Sequence, residues 1–161
     1  MRLRELKEKD VSGMYLWMHY EETKDIFEKD FSKYTKEDIL NFIKKQEVND
    51  VNYACVDDND NYLGTISLKN IDKKNLNAEL AISFIQDAQG TGAAHFAMNE
   101  ILKFAFTKLK LKKIYLNVLS TNERAIKFYE KNGFIQEGCF KNHIKKGNKY
   151  IDLLWYAIIS D

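Results

Sequence analysis

The stretch QDAQGTGAAHF, Gln86 to Phe96, lies between a strand-like run, AELAISFI, and a long helix-like run, AAHFAMNEILKFAFTKLKL. It carries two of the seven glycines of the chain, one residue apart. A junction of this kind turns a strand into a helix, and it has chemistry of its own. The first backbone N–H groups of a helix have no partner inside the helix. The helix dipole adds partial positive charge at the same end, and small residues let an anion approach. Gly90, Thr91, Gly92, Ala93 and Ala94 offer all of this, and a pyrophosphate is the natural guest. Two better-known phosphate motifs do not match. The P-loop needs a Lys followed by Ser or Thr, and there is no Lys here; G-x-G-x-x-G needs glycine where the chain has His95. Taken alone, the stretch reads equally as a phosphate cradle or as a glycine-softened turn without a ligand.

Working outward, MRLREL alternates and predicts a first strand. Glu8 to Glu22 predicts a helix, with Val11, Met14, Tyr15 and Met18 at helical spacing. SKYTKEDILNFIKKQ predicts a second helix, N-capped by Thr35, with Asp38 three positions on and Ile39, Phe42 and Ile43 as its apolar stripe. The period then changes. NYACVDDNDNYLGTISLKNI predicts a hairpin around DDNDN, and DKKNLN a turn into AELAISFI. Beyond the opening stretch, Ala94, Ala97, Met98, Ile101, Leu102, Ala105 and Leu109 share one helix face. KKIYLNVL is a short strand, and TNERAIKFYEKNG a compact helix ended by Gly133. FIQEGCF and KYIDLLWYAII close the chain as strands about KKGN.

Hairpin strands early and late argue for antiparallel pairing, and the central strand–helix–strand unit for one parallel pair with a right-handed crossover. The expected fold class is therefore α+β: a mixed, mostly antiparallel sheet with helices on both faces, not a doubly wound sheet. No repeat, low-complexity tract or linker interrupts the chain, so one domain over 1–161 is expected.

The 161 residues suffice for a real core, and 45% hydrophobic with 30% charged residues is a globular composition. With 25 basic against 24 acidic residues the net charge is +1, which argues against nucleic-acid binding. No apolar run reaches membrane-spanning length and MRLRELKEKD has no apolar signal core, so no membrane partner and a cytoplasmic location are expected. Cys55 and Cys139 stand alone as reduced thiols, and His19, His95 and His143 are too scattered for a metal site. With no proline, turns fall to Gly, Asn and Asp.

A second constellation, STNERAIKFYEKNGF, Ser120 to Phe134, puts Asn122, Ala125, Phe128, Tyr129 and Asn132 on one helix face. Alone, its tyrosine reads as a packing residue. The pairing of the two blocks is more specific: Q-x-x-G-x-A is followed some thirty residues later by N-x-x-A-x-x-x-Y-x-x-x-G-F, with one helix and one strand between. On these residues the chain resembles the GNAT superfamily of acetyl-CoA-dependent N-acetyltransferases. Gln89, Gly92 and Ala94 match its Q/R-x-x-G-x-G/A signature, with Gly90 also common there, and NERAIKFYEKNGF is similar to its second block. The order of strands and helices extends the resemblance over the whole chain. The opening region resembles the branch of ribosomal-protein alanine, spermidine and nucleotide-sugar amine acetyltransferases, although Trp17, Met18, His19, Tyr20 and Glu21 stand where that branch often has Trp-x-Asn-Asp-Pro.

The resemblance implies a GNAT-like acyl-CoA N-acyltransferase fold, acetyl-CoA as cosubstrate and no metal. It implies transfer of an acetyl group to a primary amine by direct attack on the thioester. Tyr129 would be the general acid at the sulfur. Glu79 would be either the base or a carboxylate that only orients substrate or meets solvent. Backbone groups at Ile82, Ser83 and Phe84 would pair with the pantetheine arm, and Gln89, Gly90, Thr91, Gly92, Ala93 and Ala94 would form the pyrophosphate turn. Asn122 would bind pantetheine or simply cap its helix, and Lys127 and Lys131 would meet the 3′-phosphate or only solvent. KLKLKK (Lys108 to Lys113) reads as an exposed helix end. Glu21, Glu22, Asp25, Glu28 and Asp30 beside Tyr20 and Phe27 suit a cationic amine or form a solvated loop. A polyamine, an amino sugar and a protein N-terminus stay open as acceptors. A non-catalytic acyl-CoA-binding regulatory module of the same fold is the competing reading. LLWYAII suits a central strand or the edge of a homodimer.

Overall fold

A computed structural model describes residues 1–161. Its strands are β1 (Arg2–Glu5), β2 (Val51–Val56), β3 (Tyr62–Asp72), β4 (Asn77–Phe84), β5 (Lys113–Leu119), β6 (Ile135–Lys146) and β7 (Lys149–Ile159). The helices are α1 (Val11–Met18), α2 (Thr23–Ile26), α3 (Lys36–Lys44), α4 (Ala93–Lys103) and α5 (Glu123–Lys131). All seven strands join one sheet in the order β1-β2-β3-β4-β5-β7-β6. Every pairing is antiparallel except β4 with β5, whose crossover is α4. This is the mixed, mostly antiparallel α+β architecture that the sequence predicts.

Alternation along the strands divides the core between the two faces. Ile66, Leu68, Leu80, Ile114 and Leu116 pack with Met98 and Ile101 of α4, and Ala125, Phe128 and Tyr129 of α5 lie against the same cluster. On the other face Ala54 and Val56 meet Met14 and Trp17 of α1 and Ile39 of α3. The cap of α3 forms as expected. Thr35 Oγ1 accepts from the Asp38 amide at 3.1 Å, and an Asp38 carboxylate oxygen accepts from the Thr35 amide at 2.9 Å. Gly133 follows α5 at φ +93°, a conformation open to glycine.

Two helices differ from expectation. The first is not one helix from Glu8 to Glu22: a 3-10 turn covers Glu8–Asp10 and α1 ends at Met18. The buried Thr23 hydroxyl donates to the Trp17 carbonyl at 2.6 Å, so the chain folds back on the helix end instead of extending it. The long helix after the glycine turn stops as α-helix at Lys103 and closes through a wider turn over Phe104–Lys108.

Candidate active site

Pairing between β4 and β5 covers only Asn77, Ala78 and Glu79. From Leu80 to Phe84, β4 remains bound to β3, but its opposite edge has no strand partner. The sheet therefore opens as a V whose β4 arm presents unpaired backbone groups. On β3, Gly64 lies beneath Phe84, and a Cβ there would stand 2.5 Å from the ring. The glycine lets Phe84 lie flat against the sheet at the wide end of the V.

The strand then enters the turn with which the sequence reading began. Gln86–Ala88 makes a 3-10 turn, and Gly90 and Gly92 take φ +76° and +82°. A Cβ at either would meet nothing within 4 Å, so backbone conformation and not crowding demands glycine. Thr91 Oγ1 donates to the Ala88 carbonyl at 2.5 Å and accepts from the Ala93 amide at 3.2 Å, which fixes the loop from within. α4 begins when Phe96 N donates to the Gly92 carbonyl at 2.9 Å. The amides of Gly90, Gly92, Ala94 and His95 make no hydrogen bond within the protein. Four unpartnered donors at a helix start suit an anion.

A cavity of about 550 Å³ lies between this turn, the β4 edge and α5. Ile82, Ser83, Phe84, Gln89, Gly90, Gly92, Ala93, Ala94, Asn122 and Tyr129 all line it. Thr91 and Glu79 do not. Thr91 shapes the turn from behind. Glu79 sits at the last paired position of the V, opposite Tyr115, on the sheet face away from α4.

The Tyr129 ring packs edge-on against Phe128 and Phe134, at 5.7 and 5.9 Å between centroids. Its hydroxyl has no hydrogen-bond partner in the protein, and burial pushes the phenol up to about 12. A donor therefore faces the cavity and stays protonated at neutral pH. Asn122 does cap α5, its Oδ1 accepting from the Ala125 amide at 3.2 Å, while its Nδ2 donates to the Ile26 carbonyl at 3.3 Å.

That last contact belongs to a wall only partly legible in the sequence. Trp17, Tyr20, Glu22, Thr23, Ile26 and Phe27 close one side of the cavity. Gln86 holds this wall in place: its amide donates to Tyr20 Oη at 3.1 Å and its side chain to Glu22 Oε1 at 2.9 Å. Of the acidic segment, Glu22 alone lines the cavity, and Asp30 instead caps a 3-10 turn through the Ser32 amide at 3.0 Å. Lys146 of the β6–β7 hairpin reaches the Glu28 carbonyl at 3.5 Å. Arg124 and His95 also line the cavity, whereas Lys127 and Lys131 do not. Arg124 lies inside the NERA block, but only the packing of α5 beside α4 could reveal it as a wall residue. No group of three or more His, Cys, Asp or Glu side chains is gathered to hold a metal.

A split parallel pair, a glycine-shaped turn of unpartnered amides and a protonated phenol share one cleft between β4 and α5 of an α+β protein. The chain belongs to the acetyltransferase (GNAT) domain family, whose profile matches residues 1–135. It is 33% identical over 101 residues to the spermidine N(1)-acetyltransferase of Vibrio cholerae, which is 63% of this chain and 58% of the relative. It is 26% identical over 131 residues to acetyltransferase PseH of Campylobacter jejuni, covering 81% and 80% of the two chains. The fold matches a crystal structure of Vibrio cholerae spermidine N-acetyltransferase in complex with CoA and spermine at TM-score 0.89 and 24% identity, over 98% of this chain and 94% of that one.

Proposed function

We propose that this protein is an acetyl-CoA-dependent N-acetyltransferase that moves an acetyl group to a primary amine by direct attack on the thioester. The observation that carries this reading is the single cavity that combines four unpartnered amides, an unpaired strand edge and the Tyr129 hydroxyl. Neutral N–H donors at a helix start suit a pyrophosphate. An open strand edge suits an amide-bearing pantetheine arm, which adds to it as an extra strand would. The relatives named as acetyltransferases and the neighbour solved with CoA support the same ligand.

In the proposed reaction the amine nitrogen bonds to the carbonyl carbon and the C–S bond breaks. Tyr129 gives its proton to the departing sulfur. Glu79, at the root of the V, takes the amine proton through water and lies beyond the cavity lining. Backbone N–H groups of β4 polarise the carbonyl. Glu79→Gln should remove the acidic limb of the pH–rate profile, and a profile that keeps this limb would rule out the base role.

The acceptor we propose is a small cationic amine, met by Glu22 and the aromatic wall of Trp17, Tyr20 and Phe27. Polyamines come first, because two spermidine acetyltransferases, from Vibrio cholerae and Escherichia coli, are among the relatives. The enzyme acts as one domain over 1–161, supported by the single sheet from Arg2 to Ile159. The cytoplasm is its proposed location, supported by two free cysteines and by the lack of any helix long and apolar enough to cross a membrane. A thermal-shift measurement with acetyl-CoA, paired with an amine panel read by CoA release, tests the whole reading. A raised Tm together with amine-dependent release is expected. A shift without release for any amine would favour a non-catalytic acyl-CoA-binding module. No shift with acetyl-CoA, succinyl-CoA or CoA would overturn it.

A further inference from the structure

Two residues of α1, Gly13 and Trp17, stand four apart and so share one face of the helix. Both meet Tyr62 of β3. At Gly13 the Tyr62 ring lies so close that a Cβ would stand 2.2 Å from it. One turn further on, the Trp17 indole N–H donates to Tyr62 Oη at 3.1 Å. The same hydroxyl shares a hydrogen bond with Thr65 Oγ1 at 2.5 Å. Because the indole can only donate, the phenol hydrogen is left for Thr65. Trp17 and Thr65 are both buried. Thr65 in turn is paired with Ser83 of β4, and Ser83 and Trp17 both line the cavity. A chain of hydrogen bonds thus ties the aromatic wall to the strand behind the open β4 edge. The Trp17 ring carries the tie onward, packing against Phe27 and Phe31 at 5.9 and 5.0 Å between centroids.

Resting on the reading of this wall as the acceptor side, we propose that Tyr62 is a positioning residue for the acceptor amine, holding Trp17 and its aromatic neighbours at a fixed distance from the β4 edge. Tyr62 does not itself line the cavity and acts through Trp17. A ring attracts a cation over its face and at short range, so the tilt of the wall rings matters to an amine. A buried indole N–H left without a partner is costly, so loss of the Tyr62 hydroxyl should turn the indole toward another acceptor. Gly13 is the second half of the device. Glycine is a poor residue inside a helix, and the close approach of the Tyr62 ring accounts for it there. The unpartnered amides of the glycine turn take no part in this chain of contacts, so acetyl-CoA binding should not depend on it.

Steady-state kinetics with spermidine as the amine, beside calorimetry with acetyl-CoA, test this on wild type and Tyr62→Phe. The variant keeps the ring beside Gly13 and removes one hydroxyl. Its KM for spermidine should rise about fivefold, the scale of one hydrogen bond, while kcat and acetyl-CoA affinity change by less than about twofold. Gly13→Ala keeps the hydroxyl but displaces the ring, and should raise KM alike; the double variant should add little to either alone. Trp17 and Trp155 are the two tryptophans of the chain, so in a Trp155→Phe background the emission reports Trp17, and Tyr62→Phe should shift it. An unchanged KM, an unchanged emission, or a KM that rises together with a weakened acetyl-CoA affinity would overturn the proposal. A wild type that binds acetyl-CoA yet releases no CoA with spermidine would overturn the acceptor reading, and this proposal with it.

Discussion

Two residues show how differently a side chain and a backbone can serve the same cleft. Tyr129 contributes an atom: a phenol held neutral by burial at about 12 and free of protein partners. Tyr129→Phe keeps the ring packing against Phe128 and Phe134 and removes only the donor. Turnover should fall about 100-fold or more, the usual scale of a general acid, with the acetyl-CoA dissociation constant nearly unchanged. Stopped-flow or steady-state CoA release, read beside calorimetry, checks the split, and equal turnover would remove Tyr129 from the mechanism. Gly92 contributes a conformation. Its φ of +82° lies where side chains are disfavoured, yet nothing stands within 4 Å of the site of a Cβ. Gly92→Asn should therefore bind CoA nearly as wild type does, because Asn tolerates this region, whereas Gly92→Val should weaken binding and cost about 1–2 kcal/mol of stability. Equal loss in both variants would mean that space and not backbone angle sets the requirement.

At the scale of elements, α5 both ends the cavity and holds its far wall. Asn122 is the hinge of that arrangement, with one side-chain atom on the Ala125 amide and the other on the Ile26 carbonyl. Asn122→Ser keeps a good N-cap but is too short to reach Ile26. Thermal stability should change by less than about 1 kcal/mol, while amide exchange across α2 should speed up and CoA binding should weaken. Unchanged exchange across α2 would show that Gln86, through Tyr20 and Glu22, holds the wall without help. Elements also show how far local sequence reaches. The α3 cap, the DDNDN hairpin and the Gly133 stop were legible because each depends on neighbours a few residues apart. The length of α1 was not, because its end depends on Thr23 folding back to the Trp17 carbonyl.

Across the whole molecule, half-buried phenols link stability to alkaline pH. Burial raises Tyr129 to about 12 and raises Tyr62 further, while the unfolded chain keeps phenols near 10. Between these values the unfolded state gives up protons that the folded state retains. Stability is therefore full below about pH 10 and declines as pH rises through about 10 to 12. Urea midpoints measured across that window should fall, and Tyr129→Phe should fall less steeply. A midpoint independent of pH there would mean that these phenols ionise in the folded state.

The sequence by itself determined the order of the seven strands, the parallel β4–β5 pair and the glycine turn, because periodicity, caps and turn residues act over short spans. It also singled out Tyr129 and the glycine turn, through the resemblance of the two blocks that carry them to a known family. What it could not determine was which side chains share a wall. Arg124 and His95 enter the cavity, Thr91 and Glu79 stay out of its lining, and Lys127 and Lys131 miss it. Tyr20, Glu22 and Ile26 join it through bonds to Gln86 and Asn122, which lie 64 to 96 residues further along the chain. Those placements arise where β4 and β5 separate and two helix starts meet over the gap, a geometry that exists only once the sheet has assembled.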